Sequence, residues 1–445
     1  MAARLFGTDG VRGVANVDLT PEFILRLGRA TARVLAPRGG RFLIGRDTRL
    51  SGPMLEAALT AAWCASGASV LRAGVLPTPA VAYLTRHLDA TAGVAISASH
   101  NPIQDNGLKF FSGDGFKLTD ADEEAVEAEF LRAPPAESSG REPAGVEDLA
   151  DAVEQYVEYV TSLAVAPLAG LRVVVDCAYG AAWRAAPKLW RHLGATVIAI
   201  NDEPDGSRIN VACGSTHPEV VRRAVLDHAA DVGFAHDGDA DRVIAVDETG
   251  GIVDGDAIMG LCALHLHAQG HLAGGRVVAT VMSNLGLELA LRRADIELER
   301  TAVGDRYVLE RMRELGANLG GEQSGHVIFL DHSTTGDGLI TAVQVINVML
   351  ETGRRLSELA AVVERFPQVL RNVSVPDRTR LEREPIIKAA VDAASHRLGE
   401  RGRVLVRPSG TEPLVRVMVE AHDAATADAV AAELVQVVQR TLGGA

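Results

Sequence analysis

The sequence predicts an α/β protein with three similar doubly wound α/β domains, followed by a smaller α+β domain at the C-terminal end. Three stretches repeat one order of elements: an apolar strand, a loop that contains Gly or Asn, an Ala/Leu-rich helix and a second strand. Buried strands that alternate with helices form mainly parallel sheets with helices on both faces. The chain has 445 residues, too many for a single core, so several domains are expected.

The elements follow one another in a definite order. In the three repeats, the predicted strand, helix and second strand cover 42–45, 54–66 and 68–71, then 171–175, 183–193 and 195–198, and last 276–281, 285–293 and 296–298. The tail is predicted to contain a strand over 369–375, a helix over 385–398, a hairpin of 403–406 and 414–420, and a helix over 425–441. A Pro-, Gly- and Ser-rich stretch over 132–146 is expected to be an exposed connection. We therefore expect four domains, over 1–153, 154–252, 253–366 and 367–445.

Composition restricts the class of partner. The net charge of −14 comes from 58 acidic and 44 basic residues, which argues against general binding of nucleic acid or of anionic membranes. No apolar run reaches the roughly 18 residues of a membrane span. The four cysteines, Cys64, Cys177, Cys213 and Cys262, lack a metal-binding spacing, and no apolar signal stretch begins the chain. Reduced, buried thiols in a cytoplasmic protein are expected.

The first chemical motif is SASHNP over 97–102, which follows the apolar run 92–96. Ser, Asn and Pro favour turns, so a polar turn explains these letters when the motif is taken alone. Ligands, however, bind where the strands of parallel sheets end. A serine beside acid–base candidates such as His100 and Lys109 can act as a nucleophile.

The second motif, DGDADR over 237–242, places Asp237, Asp239 and Asp241 at alternate positions. In an extended loop these carboxylates would point the same way, and without a cation they would repel one another. An all-oxygen ligand set suits Mg²⁺ or Ca²⁺ better than zinc. An EF-hand is excluded because Arg242 stands where that loop needs glycine and because the flanking segments are typical of strands. A solvated acidic turn is the weaker alternative.

Three further motifs are ambiguous when each is taken alone. RPSGTEPLVR over 407–416 joins two strands and offers two arginines, two hydroxyls and a turn whose N–H groups suit an anion. A decorated hairpin turn accounts for it equally well. GEQSGH over 321–326 could hold sugar hydroxyls or form a polar turn before a strand, and GTDGVRG over 7–13 is a Gly-rich loop that presents Arg12.

Together these motifs resemble the α-D-phosphohexomutase family across essentially the whole chain. SASHNP is similar to the family's phosphoserine loop, DGDADR to its metal loop, GEQSGH to its sugar-recognition loop and RPSGTEPLVR to its phosphate-binding loop. They occur in the family's order, one in each domain. GTDGVRG, the second serine of SASHNP, and VGDRYV over 303–308 most resemble the bacterial phosphoglucosamine mutase branch.

The resemblance implies four domains around one central cleft, in which glucosamine 6-phosphate and glucosamine 1-phosphate are interconverted. A phosphorylated Ser99 would pass its phosphate to the sugar, form a 1,6-bisphosphate and recover the other phosphate, which would supply amino-sugar nucleotide and peptidoglycan precursor synthesis. Mg²⁺ would be held by Asp237, Asp239, Asp241 and a phosphoserine oxygen, with a hexose 1,6-bisphosphate as activator. The resemblance also implies a homodimer.

The resemblance assigns further roles residue by residue. Arg12, His100 and Lys109 would neighbour the transferred phosphate. The substrate-binding residues would be Arg242, Glu322, Ser324, His326, Arg407, Ser409, Gly410, Thr411 and Arg416. Two positions depart from relatives: Ala302 stands where many have a lysine, and Ala240 where the metal loop often has glycine.

Lys109 is the favoured proton carrier of the implied reaction. The chain has only four lysines, Lys109, Lys117, Lys188 and Lys388, and uses arginine at its other Lys/Arg positions. Arginine does not release a proton in the useful range, whereas a desolvated lysine beside other cations can. We therefore expect Arg12 and the metal to lower the pKa of Lys109. Simple phosphate binding by this lysine is the alternative.

Three rival functions remain at this point. A phosphomannomutase or phosphoglucomutase would perform the same chemistry on another hexose. A Mg²⁺-dependent phosphatase would transfer the phosphate of Ser99 to water, but it would not need a clamp for a second phosphate. A catalytically silent sugar-phosphate sensor would not need the serine, the carboxylates and the base candidates together.

Overall fold

The computed structural model describes residues 5–7, 9–132, 142–409 and 413–443. These residues form two compact units, one of residues up to 282 together with 295–362, and one of 283–294 together with residues from 363 onward. The first unit contains three β-sheets and the second contains one. Most of the stretch 132–146, the predicted connection, lies outside the described residues.

The first sheet has the strand order β1-β5-β4-β2-β3-β6. Its strands are β1 (Val11–Val14), β2 (Arg41–Arg46), β3 (Ser69–Val75), β4 (Ala92–Ile96), β5 (Asp105–Ser112) and β6 (Val146–Asp148), and its helices are α1 (Pro21–Leu35), α2 (Gly52–Ala65), α3 (Thr78–His87) and α4 (Asp120–Arg132). Helix α1 packs against α2 and α4, and α3 packs on β2 and β4. In the core between them, the ring of Trp63 stacks on Phe42 at 4.2 Å.

The second and third sheets have the orders β11-β10-β9-β7-β8 and β13-β12-β14-β15. Around the second sheet lie α5 (Ala152–Thr161), β7 (Arg172–Asp176), α6 (Ala182–His192), β8 (Thr196–Ile200), α7 (Glu219–Asp227), β9 (Val232–His236), β10 (Val243–Asp247) and β11 (Ile252–Val253). Around the third lie α8 (Gly255–Ala268), β12 (Arg276–Thr280), β13 (Glu297–Thr301), α10 (Asp305–Leu315), β14 (Leu319–Gly321), β15 (Val327–Phe329), α11 (Gly338–Thr352) and α12 (Leu356–Ala360).

The second unit is an antiparallel sheet of order β16-β18-β17 with helices. Its elements are α9 (Leu285–Arg292), β16 (Gln368–Ser374), α13 (Pro385–Leu398), β17 (Gly402–Pro408), β18 (Leu414–Ala421) and α14 (Ala424–Leu442). The core of this sheet is formed by apolar residues of β18 and α14. The α+β character predicted for the tail is confirmed.

The predicted fold class is confirmed, and one detail of the sheets differs. In each of the three α/β sheets the central pairs, such as β2 with β4, are parallel, but one edge is antiparallel. The sequence predicted mainly parallel sheets because a buried antiparallel strand such as β10 is as continuously apolar as a parallel one. The domain boundaries and the central cleft stay predictions. Within the described residues, no helix has the length and apolar content needed to cross a membrane.

Candidate active site

Ser99 lies buried in the loop that follows β4. Its φ of 52° is left-handed, a conformation that costs an L-residue about 1–2 kcal/mol. Its Oγ donates to Oδ2 of Asp237 at 2.5 Å and lies 3.2 Å from Nδ1 of His100. The predicted nucleophile is therefore in contact with a predicted metal ligand. Burial, reinforced by Arg242, lowers the pKa of His100 to about 4, so this imidazole is neutral near pH 7.

The three aspartates follow β9 directly and lie in the loop that leads to β10. They converge because the loop turns, with a hydrogen bond of 3.1 Å from the N–H of Ala240 to the carbonyl oxygen of Asp237 and a left-handed φ of 58° at Ala240. The expectation of an extended loop is thus wrong, although the flanking strands are confirmed. Side-chain oxygens of Asp237, Asp239 and Asp241 all lie within 4.8 Å of one another.

This group of carboxylates fits a divalent metal ion. All three are buried, and Oδ1 of Asp239 has no hydrogen-bond donor in the described part of the chain. Burial raises the pKa of Asp237 well above its ordinary value, and the charges of Asp241 and Asp239 raise it further. Buried like charges of this kind are stabilised by a cation, and the donor set is oxygen alone, as hard cations prefer.

Lys109 is buried on strand β5, which pairs with β4 beside Ser99. Its Nζ donates to Asp239 at 2.9 Å and to Asp241 at 2.8 Å, and it lies 3.1 Å from Asp9. Burial alone would lower the pKa of Lys109, but these three carboxylates raise it well above its ordinary value. The neighbours of Lys109 in this arrangement are mostly anions, and the pKa lowering expected from Arg12 together with a bound metal ion stays a prediction.

A network of ion pairs extends from Lys109 towards the third sheet. Asp9 pairs with Lys109, with Arg12 and with Lys117, and Lys117 also pairs with Asp305 at the start of α10. Burial would raise the pKa of Asp9, but Lys109 and the other two cations hold it well below its ordinary value. Asp305, in the VGDRYV motif, is thus engaged with Lys117 of the first α/β region.

The GEQSGH motif begins at the last residue of β14, and its residues 322–326 lie in the turn before β15. Glu322 accepts hydrogen bonds from the N–H of Gly304 at 3.2 Å and from the hydroxyl of Ser324 at 3.3 Å. His326 is buried, and its Nε2 accepts the N–H of Gly336 at 3.1 Å, so its proton lies on Nδ1, which is 3.7 Å from Asp241. The ring therefore lies beside the metal loop, and the substrate contact predicted for His326 stays a prediction.

Arg242 belongs to the metal loop as well. Its N–H donates to Oδ1 of Asp237 at 3.2 Å, and its side chain, 22% exposed, brings Nε within 3.8 Å of Asp241. Burial would lower the pKa of Arg242, but Asp241 and Asp237 raise it. The guanidinium is thus placed to meet an anion next to the carboxylates.

The predicted phosphate-binding residues lie in the second unit. Arg407 and Arg416 are direct neighbours across the β17–β18 pair. Burial lowers the pKa of Arg407, and the like charge of Arg416 lowers it further, an arrangement that a bound anion would relieve. Arg378 donates to the carbonyl oxygen of Ser409 at 2.5 Å and was not predicted. Gly410 and Thr411 lie outside the described residues.

Sequence reasoning also missed two residues at the carboxylates. Thr78, at the start of α3, donates from its hydroxyl to Oδ2 of Asp239 at 2.6 Å and from its N–H to the carbonyl oxygen of Asp239 at 2.9 Å. Asp9 lies in the quoted GTDGVRG motif but was not singled out. The only local sign of Thr78 is its place between two prolines after a strand, which is a weak signal.

Models of the phosphoglucomutase/phosphomannomutase family match the chain as α/β/α domain I over 3–136, α/β/α domain II over 154–251, α/β/α domain III over 254–366 and the C-terminal domain over 370–437. A phosphoglucosamine mutase of Moorella thermoacetica is 57% identical over 427 residues, which cover 94% of this chain and 96% of that protein. The chain belongs to this family. Membership makes it an isomerase of the phosphohexomutase type.

A second relative and two solved structures are also similar to this chain. A phosphoglucosamine mutase of Desulforamulus reducens is 54% identical over 440 residues, 98% of this chain and 99% of that protein. A crystal structure of a family protein from Burkholderia thailandensis matches with a TM-score of 0.83 at 24% identity, over 99% of this chain and 98% of that chain. An Aspergillus fumigatus N-acetylphosphoglucosamine mutase, solved with GlcNAc-6P and magnesium, matches at 0.70 and 19% identity, over 98% and 95% of the two chains. At these identities the two structures show the fold alone.

Proposed function

We propose that this phosphohexomutase interconverts glucosamine 6-phosphate and glucosamine 1-phosphate through a phosphorylated Ser99 and a glucosamine 1,6-bisphosphate. The observation that carries the proposal is the contact of the Ser99 hydroxyl with Asp237 inside a buried group of three carboxylates. The substrate is inferred from the relatives that are 51–57% identical to the chain, which are phosphoglucosamine mutases.

The reaction balances as two transfers. The C1 hydroxyl of glucosamine 6-phosphate attacks phosphorus on Ser99; the bond from phosphorus to the seryl oxygen breaks, and that oxygen takes up a proton. After the bisphosphate reorients, the seryl oxygen attacks the phosphorus of the C6 phosphate. The bond from that phosphorus to the sugar O6 breaks, and O6 takes up the proton that the seryl hydroxyl releases. No atom is gained or lost, as an isomerisation requires.

Each group of residues has a task in this proposal. Asp237, Asp239 and Asp241 would hold Mg²⁺ with a phosphoserine oxygen; when bound, the ion would neutralise charge that develops on the phosphoryl group. Arg12, Arg242 and His100 would bind the transferred phosphate, and Lys109 would carry the proton. Glu322 and Ser324 would hold ring hydroxyls, while Arg407, Ser409 and Arg416, with Gly410 and Thr411, would bind the other phosphate. A hexose 1,6-bisphosphate would rephosphorylate Ser99, and a homodimer is the expected assembly.

The test compares substrates by kcat/KM, the quantity that measures discrimination. Purified protein should convert glucosamine 6-phosphate with a higher kcat/KM than glucose or mannose phosphates, assayed with Mg²⁺ and a hexose 1,6-bisphosphate. A preference for glucose or mannose phosphate would agree with a mutase but contradict the proposed amino-sugar substrate. Release of inorganic phosphate at the rate of turnover would identify a phosphatase.

A further inference from the structure

The carbonyl oxygen of Ser99 is bound from two sides. Nη2 of Arg49, in the loop after β2, donates to it at 3.0 Å. Nδ2 of Asn210, between β8 and α7, donates to it at 2.9 Å. The two donors come from the regions matched by domains I and II of the family, so the peptide that carries Ser99 is held jointly by both.

Arg49 binds the whole loop and not only Ser99. Its side chain is fully buried, and its Nε pairs with Oδ2 of Asp47 at 3.0 Å. Its remaining donors go to the carbonyl oxygens of Ser99, Asn101, Pro102 and Asp105 at 2.5 to 3.0 Å. A guanidinium has five N–H donors in a rigid plane, so this side chain fixes the path of the loop. Lysine, with three donors at one point, does not have this geometry.

Asn210 connects Ser99 to the metal loop. Its own φ of 61° is left-handed, which asparagine tolerates better than most residues. A β-carbon added to Gly238 would lie 2.7 Å from the carbonyl oxygen of Ser99 and 2.7 Å from Nδ2 of Asn210. The hydrogen bond therefore lies directly against the backbone of the loop that carries Asp237. A shift of the Asn210 amide would change where Ser99 stands relative to that carboxylate.

We propose that Arg49 and Asn210 are positioning residues that hold the left-handed backbone of Ser99, and with it Oγ, in place for phosphoryl transfer. The inference rests on the role proposed above for Ser99. Without these donors the strained φ relaxes and Oγ moves away from Asp237. A displacement of about 1 Å at a reacting atom can cost roughly a hundredfold in rate. Contacts to the sugar phosphate remain, so KM changes little.

The test removes the Asn210 donor in two ways and uses a matched control. Asn210→Asp keeps size but adds charge, and Asn210→Gly removes the side chain without charge and suits the left-handed φ. The control is Asn16→Asp, at an exposed asparagine with a φ of 59°. We expect both Asn210 variants to lower kcat for glucosamine 6-phosphate at least about tenfold with less than about threefold change in KM. Phosphorylation of Ser99 by glucose 1,6-bisphosphate should slow in parallel, and the control should match wild type.

Three results would overturn the inference. One is wild-type kcat in either Asn210 variant while Ser99 is phosphorylated normally, and another is a loss confined to KM. The third is an equal loss in the Asn16 control. Arg49→Lys should lower kcat further. Because loss of a buried arginine can unfold the chain, the melting temperature of this variant is measured as well. The outcome is decided by the Asn210 variants. Wild-type protein that never carries phosphate on Ser99 would instead refute the proposed function, and this inference with it.

Discussion

The hydroxyls of Ser97 and Ser99 have different partners although they are two residues apart. Ser97 Oγ donates to the buried Asp47 at 2.6 Å and accepts the N–H of Ser99 at 2.9 Å, so it is occupied in holding the loop. Ser99 Oγ faces Asp237. We predict that phosphate is found on Ser99 by mass spectrometry of the tryptic peptide that contains both. Ser99→Ala should carry none, whereas Ser97→Ala should still be phosphorylated at 99. Phosphate on Ser97 alone would identify Ser97 as the nucleophile in place of Ser99.

Lys109 sits in a buried position shaped for an ammonium group. Its Nζ meets three carboxylates within 3.1 Å, and the guanidinium of arginine would keep the positive charge but does not release a proton in the useful range. Lys109→Arg is therefore expected to lose kcat by roughly a hundredfold or more, the scale of a proton-transfer group, while KM changes much less. Steady-state kinetics measure the split. Near-normal kcat would show that positive charge suffices and would direct the search for the proton carrier to His100.

At the scale of elements, the loop between β9 and β10 concentrates negative charge in one turn. Chelation should abolish activity and Mg²⁺ should restore it, because three buried carboxylates need a hard cation. Asp239→Asn should weaken Mg²⁺ binding, measured by calorimetry, by at least about tenfold. A tenfold rise in the dissociation constant corresponds to about 1.4 kcal/mol of lost binding free energy. The melting temperature should change little, because Lys109 keeps Asp241 and Asp9 as partners and one of several like charges is removed. Asp148→Asn, with a side chain 71% exposed, is the control. Full activity of metal-free protein would contradict the metal site.

The first turn of α11 is capped by Asp337 and contacts the metal loop. Its carboxylate accepts the N–H groups of Leu339 and Ile340 at 3.0 and 2.9 Å and the hydroxyl of Tyr156 at 2.8 Å. The next residue, Gly338, donates its N–H to the carbonyl oxygen of Ala240 at 3.0 Å. This contact connects the start of the helix to the turn that gathers the three aspartates.

Asp337 also makes stability depend on pH. Burial raises its pKa from an ordinary 3.8 to about 6. The folded state then holds the proton more tightly than the unfolded one, so this contribution to stability is complete below pH 3.8 and is lost as the pH rises through about 6. A shift of two pKa units corresponds to about 3 kcal/mol. Thermal melts from pH 4 to 7 should show the melting temperature of wild type falling relative to Asp337→Asn. A constant difference would refute the raised pKa.

At the scale of the whole molecule, Arg306 of the VGDRYV motif ties α10 to α4. It donates to both carboxylate oxygens of Glu123, at 2.5 and 3.0 Å, to Asp120 at 2.8 Å and to the carbonyl oxygen of Leu118 at 2.9 Å. The side chains of Arg306 and Glu123 are 11% and 5% exposed. The VGDRYV motif thus joins the regions matched by domains I and III.

Removal of one partner from a nearly buried pair leaves an uncompensated charge. Arg306→Met should therefore destabilise the protein by about 3 kcal/mol or more, measured by denaturant unfolding. Arg306→Met with Glu123→Gln should recover part of that loss, because the stranded charge is neutralised. Arg311→Met, at a side chain 38% exposed that pairs with Glu299 and Glu314, should cost less than about 1 kcal/mol. Equal losses at 306 and 311 would contradict the argument.

Much of the fold followed from local patterns. Helix α13 was predicted with its exact ends because Pro385 starts it and Gly399 follows its end, and most other predicted elements differ from the observed ones by one or two residues. The antiparallel edges could not be predicted: β10 is as apolar as its parallel neighbours, and β5 mixes polar residues such as Asn106 and Lys109 with its apolar ones. The donor set of the candidate metal site was predictable because three aspartates lie within five residues.

By itself the sequence determined part of the order of elements, the family and the residue types that each motif offers, because periodicity, turn preferences and alternate carboxylates are properties of neighbouring residues. The tertiary structure alone decided which loops meet. Thr78 binds Asp239 across 161 positions and Asn210 binds Ser99 across 111, and nothing local to either residue records its partner. It also decided the pKa of Lys109, since the three carboxylates around this lysine come from residues distant in the chain. The interaction between two charges depends on their distance in space and on their burial. Neither quantity can be read from the separation of the residues along the chain.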